Sequence, residues 1–234
     1  MNRRKFAKSA LAGIATITAS GTANRMDGQT MQTSTSSGTN AFNQLLKDPA
    51  QTKMIFDVSQ IANGRFLVSI KNALNGLHSG FGLPAEQIRV IAGLHGPANM
   101  LNYDDYIWSK YRVGEWLSTL SASTGEKSTK NPFFETHPAT PEHHDADSSA
   151  PPIVADQQTG ILALQNRGVR FLSCHNSAVN QAQALIVHLN LSLPSSDMVK
   201  EMEAHTLPGV LIVPSMVAAM GLLQSSGHYA YIKV

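Results

Sequence analysis

The chain has 234 residues, 42% hydrophobic and 15% charged, which suffices for one good core and excludes a disordered chain. The formal net charge is +2 with histidines neutral, and four positive side chains, Arg3, Arg4, Lys5 and Lys8, crowd the first eight residues. The remainder is slightly acidic and aromatics reach only 6%, so no electrostatic footprint for nucleic acid is present. Cys174 is the one cysteine, which excludes an intramolecular disulfide.

The first 23 residues read as an export signal. Paired Arg3-Arg4 is followed by Lys5, Phe6 and Lys8, then by a mildly apolar run over 10–19 and small residues at 20–23. This is the layout of a twin-arginine secretory leader, and it predicts a periplasmic protein with no membrane attachment once the leader is removed. The apolar run is shorter than the roughly 18 residues a membrane span needs. Residues 24–50 open on a Ser-, Thr-, Gly- and Asn-rich stretch without apolar period, which predicts a flexible lead. A single domain is expected over 51–234, broken by an insertion or long surface loop at 124–152.

Within that domain, strands and helices are expected to alternate. The run KMIFDV (53–58) predicts a buried strand. A helix over 62–79 follows, with Phe66, Leu67, Ile70, Leu74 and Leu77 on one stripe, closed by Gly80, Gly82 and Pro84. A second strand over 87–94 exits through His95-Gly96-Pro97. A helix over 103–120 carries Tyr106, Ile107, Trp108, Tyr111, Val113 and Trp116, whose aromatic members are read as core or interface residues. Beyond the insertion, a helix over 153–166 closes at Gly168, and a strand over 169–173 runs into Cys174. A helix over 176–189 shows a narrow stripe of Ala178 and Ala182, read as close helix–sheet packing. Strand 210–213, helix 215–226 and strand 228–234 complete the chain. This order predicts an α/β fold with a five-stranded, mainly parallel sheet covered by helices on both faces. Reactive groups in such sheets collect at the carboxyl ends of the strands.

That rule singles out Cys174, at a strand's carboxyl end and a helix's start. A thiol there meets the partial positive charge and unpaired N–H groups of a helix N-terminus, which favour the reactive thiolate. A buried cysteine acting as a small hydrophobe is the competing reading. His95, at the exit of the second strand, is a candidate base facing the same crevice, or a turn histidine bonded to backbone. His175, next to Cys174, is a further candidate, although adjacent side chains usually diverge. His137, His143, His144, Asp145 and Asp147 gather in the insertion, where imidazole and carboxylate together suit zinc, nickel or copper. A Pro- and Ser-rich loop makes a poor preorganised site and no HExxH or Cys/His ladder is present, so a solvated loop and no bound metal are expected. The sequence contains no GxGxxG, Walker loop or GxSxG elbow, and no cofactor is expected.

The segment GVRFLSCHNSA (168–178), with LPGVLIVPSMVAAMGLLQSSGHYAYIKV (207–234) and the exit LHGPA (94–98), resembles the DsrE/DsrF-like family of sulfur-relay and related proteins. The matching pattern is a strand, a cysteine opening a helix, Val213-Pro214-Ser215, Gln224, Gly227 and a closing strand through Tyr229 to Lys233. The resemblance covers most of 52–234 and is strongest in the last third. It implies a three-layer α/β/α sandwich with five parallel strands in flavodoxin-like order, a homo-oligomer, often a trimer or hexamer, and a cysteine at the position of Cys174 that accepts a persulfide sulfur. That sulfur passes to a partner, either a protein or a small thiol. The export leader and the insertion both depart from cytoplasmic relay members. The alternatives are a non-enzymatic periplasmic binding or assembly module with a structural cysteine and, third, a metal-binding protein using the histidine loop.

Overall fold

The computed structural model describes residues 32–121, 124–135, 137–138 and 158–234. Residues 1–31, and with them the expected export leader, lie outside this description, as do His143, His144, Asp145 and Asp147 of the insertion.

Five strands form one sheet: β1 (Thr52–Val58), β2 (Ile88–Leu94), β3 (Arg170–Cys174), β4 (Leu211–Val213) and β5 (Ala230–Lys233). All are parallel, and their order across the sheet is β4-β3-β2-β1-β5. The three-layer sandwich is the expected one. The strand order is not the 2-1-3-4-5 of flavodoxin, because the chain winds outward from β1 to β4 and only then returns past it to place β5. The strands that end up central, β1 and β2, have the longest buried apolar runs, as a sheet covered on both faces requires.

One face carries α2 (Arg65–Asn75), α3 (Asp105–Lys110), α4 (Val113–Trp116), α5 (Ile161–Asn166), α6 (His175–Leu189) and α7 (Ser195–Ala204). Phe56, Val58, Val90, Leu94 and Phe171 point into this layer, against Phe66, Ile70, Trp108, Leu164, Ala178, Ala182 and Met198. The small Ala178 and Ala182, both buried, let α6 approach the sheet closely, as their spacing predicts. The other face is thinner. Ile55, Ile91, Leu172, Cys174 and Val213 meet α8 (Met216–Ser225) through Met216, Ala219, Met220 and Leu223, and Phe42, Leu45 and Leu46 pack beside them. Gly93 is where α8 crosses β2: a Cβ there would lie 2.8 Å from Met216 Sδ.

Several elements differ from the sequence expectation, each for a local reason. The stretch expected as a flexible lead contains helix α1 (Gln32–Leu46), whose Phe42, Leu45 and Leu46 cover the second face. Packing of three apolar residues outweighs a polar composition that gives no helical period by itself. The helix expected over 103–120 is two short ones, because Arg112 takes a left-handed backbone (φ 47°) between α3 and α4. The helix expected over 153–166 begins only at Ile161; before it, Gln158–Thr159 pairs antiparallel with His137–Pro138. The first part of the insertion is tied to the domain. Asn131 is buried, its side chain donates to Leu101 O and Tyr103 O at 2.8 and 3.0 Å, and its N–H reaches Asp105 Oδ1 at 2.9 Å. Helix α7 and the 3-10 segment Gly96–Asn102 are elements that the sequence pattern does not predict. Among the described residues, no helix is long and apolar enough to cross a membrane.

Candidate functional site

Alternation along the strands brings chemistry to one face at the carboxyl edge. Ile55, Ile91, Leu172 and Cys174 all belong to the cluster under α8, so Asp57, two residues beyond Ile55, shares that face. Asp57 Oδ1 lies 2.6 Å from His95 Nε2, and Asp57 Oδ2 accepts the Tyr231 hydroxyl at 2.5 Å. Asp57 is nearly buried, while the His95 side chain keeps 26% exposure. The bond to Asp57, and then burial, holds the Tyr231 phenol above its ordinary pKa. β2 lies on one side of β1 and β5, entered last, on the other, so this trio spans the point where the strand order reverses, the region where ligands of open α/β folds gather.

Cys174 is the last residue of β3 and the N-cap residue of α6. Its sulfur accepts the N–H of Met216, the first residue of α8, at 3.4 Å. The sulfur therefore meets the start of α8, which arrives after β4, while Cys174 makes no side-chain cap bond to α6. The residue is 4% exposed and packed among apolar neighbours. The ladder of β2 with β3 ends on the pair Leu94–Ser173, and His95 and Cys174 are the next residues of the two chains. Among the described residues no hydrogen bond joins the two side chains. His175 turns the other way, its Nδ1 2.6 Å from Glu203 Oε1 on α7.

A buried polar knot holds both exits in place from the opposite face. Asn99 Oδ1 accepts the Cys174 N–H at 2.8 Å and the Ser173 hydroxyl at 3.0 Å. Asn99 Nδ2 donates to Gln181 Oε1 at 3.0 Å and to Tyr103 Oη at 3.1 Å. Gln181 Nε2 in turn donates to Gly96 O at 2.6 Å, and Ser177 Oγ accepts the Gly96 N–H at 3.0 Å. Burial pushes the Tyr103 phenol up to about 12, so it stays a neutral member of the knot. The backbones of residues 95–96 and 173–174 are thereby fixed to one scaffold.

A cleft of about 580 Å³ opens beside the same edge, walled by Gln60 to Asn63 after β1, by Pro97 after His95-Gly96, and by Trp116 to Leu120 and Phe133. Among the described residues, no charged side chain lines it. Ala62, Asn63 and Ser118 take left-handed backbone on its walls (φ 42°, 54° and 55°).

Of the sequence candidates, the structure sets Cys174 and His95 on adjoining strands and separates His175 from them. Trp108 is fully buried and donates Nε1–H to Met100 O at 3.0 Å, a core aromatic as expected, whereas Trp116 lines the cleft. The backbone of His137 pairs with Thr159. Among the described residues no group of three or more His, Cys, Asp or Glu is arranged to hold a metal ion. Sequence reasoning missed Asp57 and Tyr231. The available signal was an acid placed one residue before the carboxyl end of an otherwise apolar strand, where burial demands a partner.

No family model matches the chain, and no curated protein or solved structure matches it.

Proposed function

We propose that this chain is an exported, periplasmic sulfur-handling protein of DsrE/DsrF-like type, with Cys174 accepting a persulfide sulfur and passing it to a partner protein or small thiol, and that it works as a homo-oligomer. The observation that carries the reading is the place of the sulfur: on the last residue of β3, receiving the first N–H of α8 at 3.4 Å. Backbone donors at a helix start suit an anionic sulfur. The sequence pattern of SCHNS, VPS and YAYIK supports the same assignment, and the twin-arginine layout of residues 1–23 supports export. Treatment of the folded protein with glutathione persulfide, followed by intact-mass analysis, is expected to add one sulfur to the wild type and none to Cys174→Ala. Absence of the adduct, under conditions that load a known carrier, overturns the reading.

A second reading rests on one specific observation, the 4% exposure of Cys174 in an apolar cluster. On that reading the cysteine is structural and the domain is a binding or assembly module. It is favoured if iodoacetamide reacts with Cys174 in the folded protein far more slowly than with free cysteine, and excluded if the folded protein reacts faster.

A further inference from the structure

The bonding around Asp57 dictates how His95 carries its proton. A carboxylate has acceptors only, and both Asp57 oxygens are engaged, Oδ2 by the Tyr231 hydroxyl at 2.5 Å and Oδ1 by His95 Nε2 at 2.6 Å. In the neutral ring Nε2 must therefore hold the hydrogen, which leaves the lone pair on Nδ1. Nδ1 has no partner among the described residues. His95 remains extended (φ −147°, ψ 178°) and directly follows Leu94, as Cys174 directly follows Ser173, the last pair of the β2–β3 ladder. The knot around Asn99 and Gln181 fixes both backbones in that relation. β1, the β2 exit and β3 thus hold an orienting acid, a base with its free nitrogen defined, and a thiol.

We propose that Asp57, His95 and Cys174 form one proton-linked nucleophile site, in which His95 Nδ1 takes the Cys174 proton, Asp57 is the positioning residue for His95, and Tyr231 fixes Asp57. The substrate class is a low-molecular-weight or protein persulfide, R–S–SH, and this part rests on the sulfur-handling reading above. Cys174 S–H gives its proton to His95 Nδ1. The thiolate attacks the terminal sulfur of the donor and a new S–S bond forms. The donor S–S bond breaks and its electron pair leaves with R–S⁻, which recovers the proton from His95. Cys174–S–SH remains, one sulfur has moved, and nothing is oxidised or reduced overall. Lys233 is the register partner of Asp57 on β5, and α1 and α8 carry no ionisable side chain.

The test is the pH profile of Cys174 alkylation by iodoacetamide between pH 5 and 9, read by intact mass on the full chain, for wild type, His95→Gln, Asp57→Asn and Tyr231→Phe, each checked for fold by circular dichroism. The wild-type rate is expected to follow the titration of a histidine. His95→Gln is expected to remove that inflection and slow the reaction at neutral pH by about 10²-fold. Asp57→Asn is expected to displace the inflection and slow it about tenfold, and Tyr231→Phe, at an exposed position, to displace it while the fold is kept. Folded Asp57→Asn and Tyr231→Phe proteins with the wild-type profile overturn the proposal, whatever becomes of His95→Gln. Persulfide loading separates the two readings: a histidine-linked alkylation profile without sulfur uptake keeps this site and sinks the sulfur reading. Sulfur uptake with unchanged profiles in the variants does the reverse.

Discussion

Asn99 holds Cys174 by its backbone: the side-chain oxygen of the one accepts the N–H of the other at 2.8 Å, from the exit of β2 to the end of β3. Asn99 is fully buried and spends both ends of its amide on this junction, on Ser173 and Cys174 at one end and on Gln181 and Tyr103 at the other. Removing it leaves several buried groups without partners, each worth about 1–3 kcal/mol. Asn99→Ala is therefore expected to lower unfolding stability by about 2–4 kcal/mol in urea titration. It is also expected to speed exchange of the Cys174 amide hydrogen. A variant as stable as wild type would show that the knot does not hold the junction.

Two glycines, Gly114 and Gly93, stand at close approaches of different kinds, and they should respond differently. A Cβ on Gly114 would lie 2.1 Å from the backbone oxygen of Ser128, which cannot move aside without shifting the insertion. Gly114→Ala is expected to cost about 3 kcal/mol. A Cβ on Gly93 meets the flexible ends of Met216 and Met220 at 2.8 and 3.2 Å. Methionine adapts, so Gly93→Ala is expected to cost about 1 kcal/mol. Thermal or urea unfolding of the pair checks the order, and equal losses would contradict it.

Glu201 makes stability depend on acid pH. Its carboxylate on α7 accepts from Lys110, from Tyr111 at 2.6 Å and from Tyr106 at 2.8 Å, joining α7 to the region of α3. Lys110 first, and Tyr111 next, pull its pKa down to about 2. A carboxyl depressed in the folded state stabilises fully above its unfolded value, near 4.5, and loses that contribution as pH falls toward 2. The stability gap between wild type and Glu201→Gln is expected to be constant from pH 7 to 5 and to close between about 4.5 and 2. Denaturant titrations at pH 6, 4 and 2.5 measure it; a gap independent of pH would remove the clamp from the account.

The layers of the fold were legible because the buried strands read as continuous apolar runs and the helices as 3.6-residue stripes. The order within the sheet was not, since no local pattern says on which side of β1 the last strand inserts. Cys174 could be placed from its own neighbours, at the end of VRFLS and before HNSA. Its relation to His95 follows from the pairing of β2 with β3, and Asp57 entered only when β1 was known to lie on the other side of β2. Tyr231 is further still, across 174 residues of chain from the carboxylate it binds. The polar knot was invisible for the same reason, because Asn99 and Gln181 look like ordinary loop and helix residues until the fold buries them. The helix α1 was missed because its stability comes from the face it covers.

That helix gives the last prediction. Phe42, Leu45 and Leu46 are half-buried against the cluster that contains Cys174, and Tyr229 donates its hydroxyl to Leu45 O at 3.0 Å, which ties α1 to the segment entering β5. If α1 were only a lead to the domain, truncating its apolar side chains would leave stability unchanged. With the observed packing, Phe42→Ala combined with Leu45→Ala removes two half-buried side chains and is expected to cost about 2–3 kcal/mol, less than the full core values because both remain partly in water. The thinner face of the sheet should also open more often, so Cys174 in the double variant is expected to react with iodoacetamide several-fold faster than in the wild type. Urea titration and the alkylation rate test the two parts separately. Unchanged stability would return α1 to the status of a lead, while a stability loss with no change in the thiol rate would mean that α8 alone shields the sulfur.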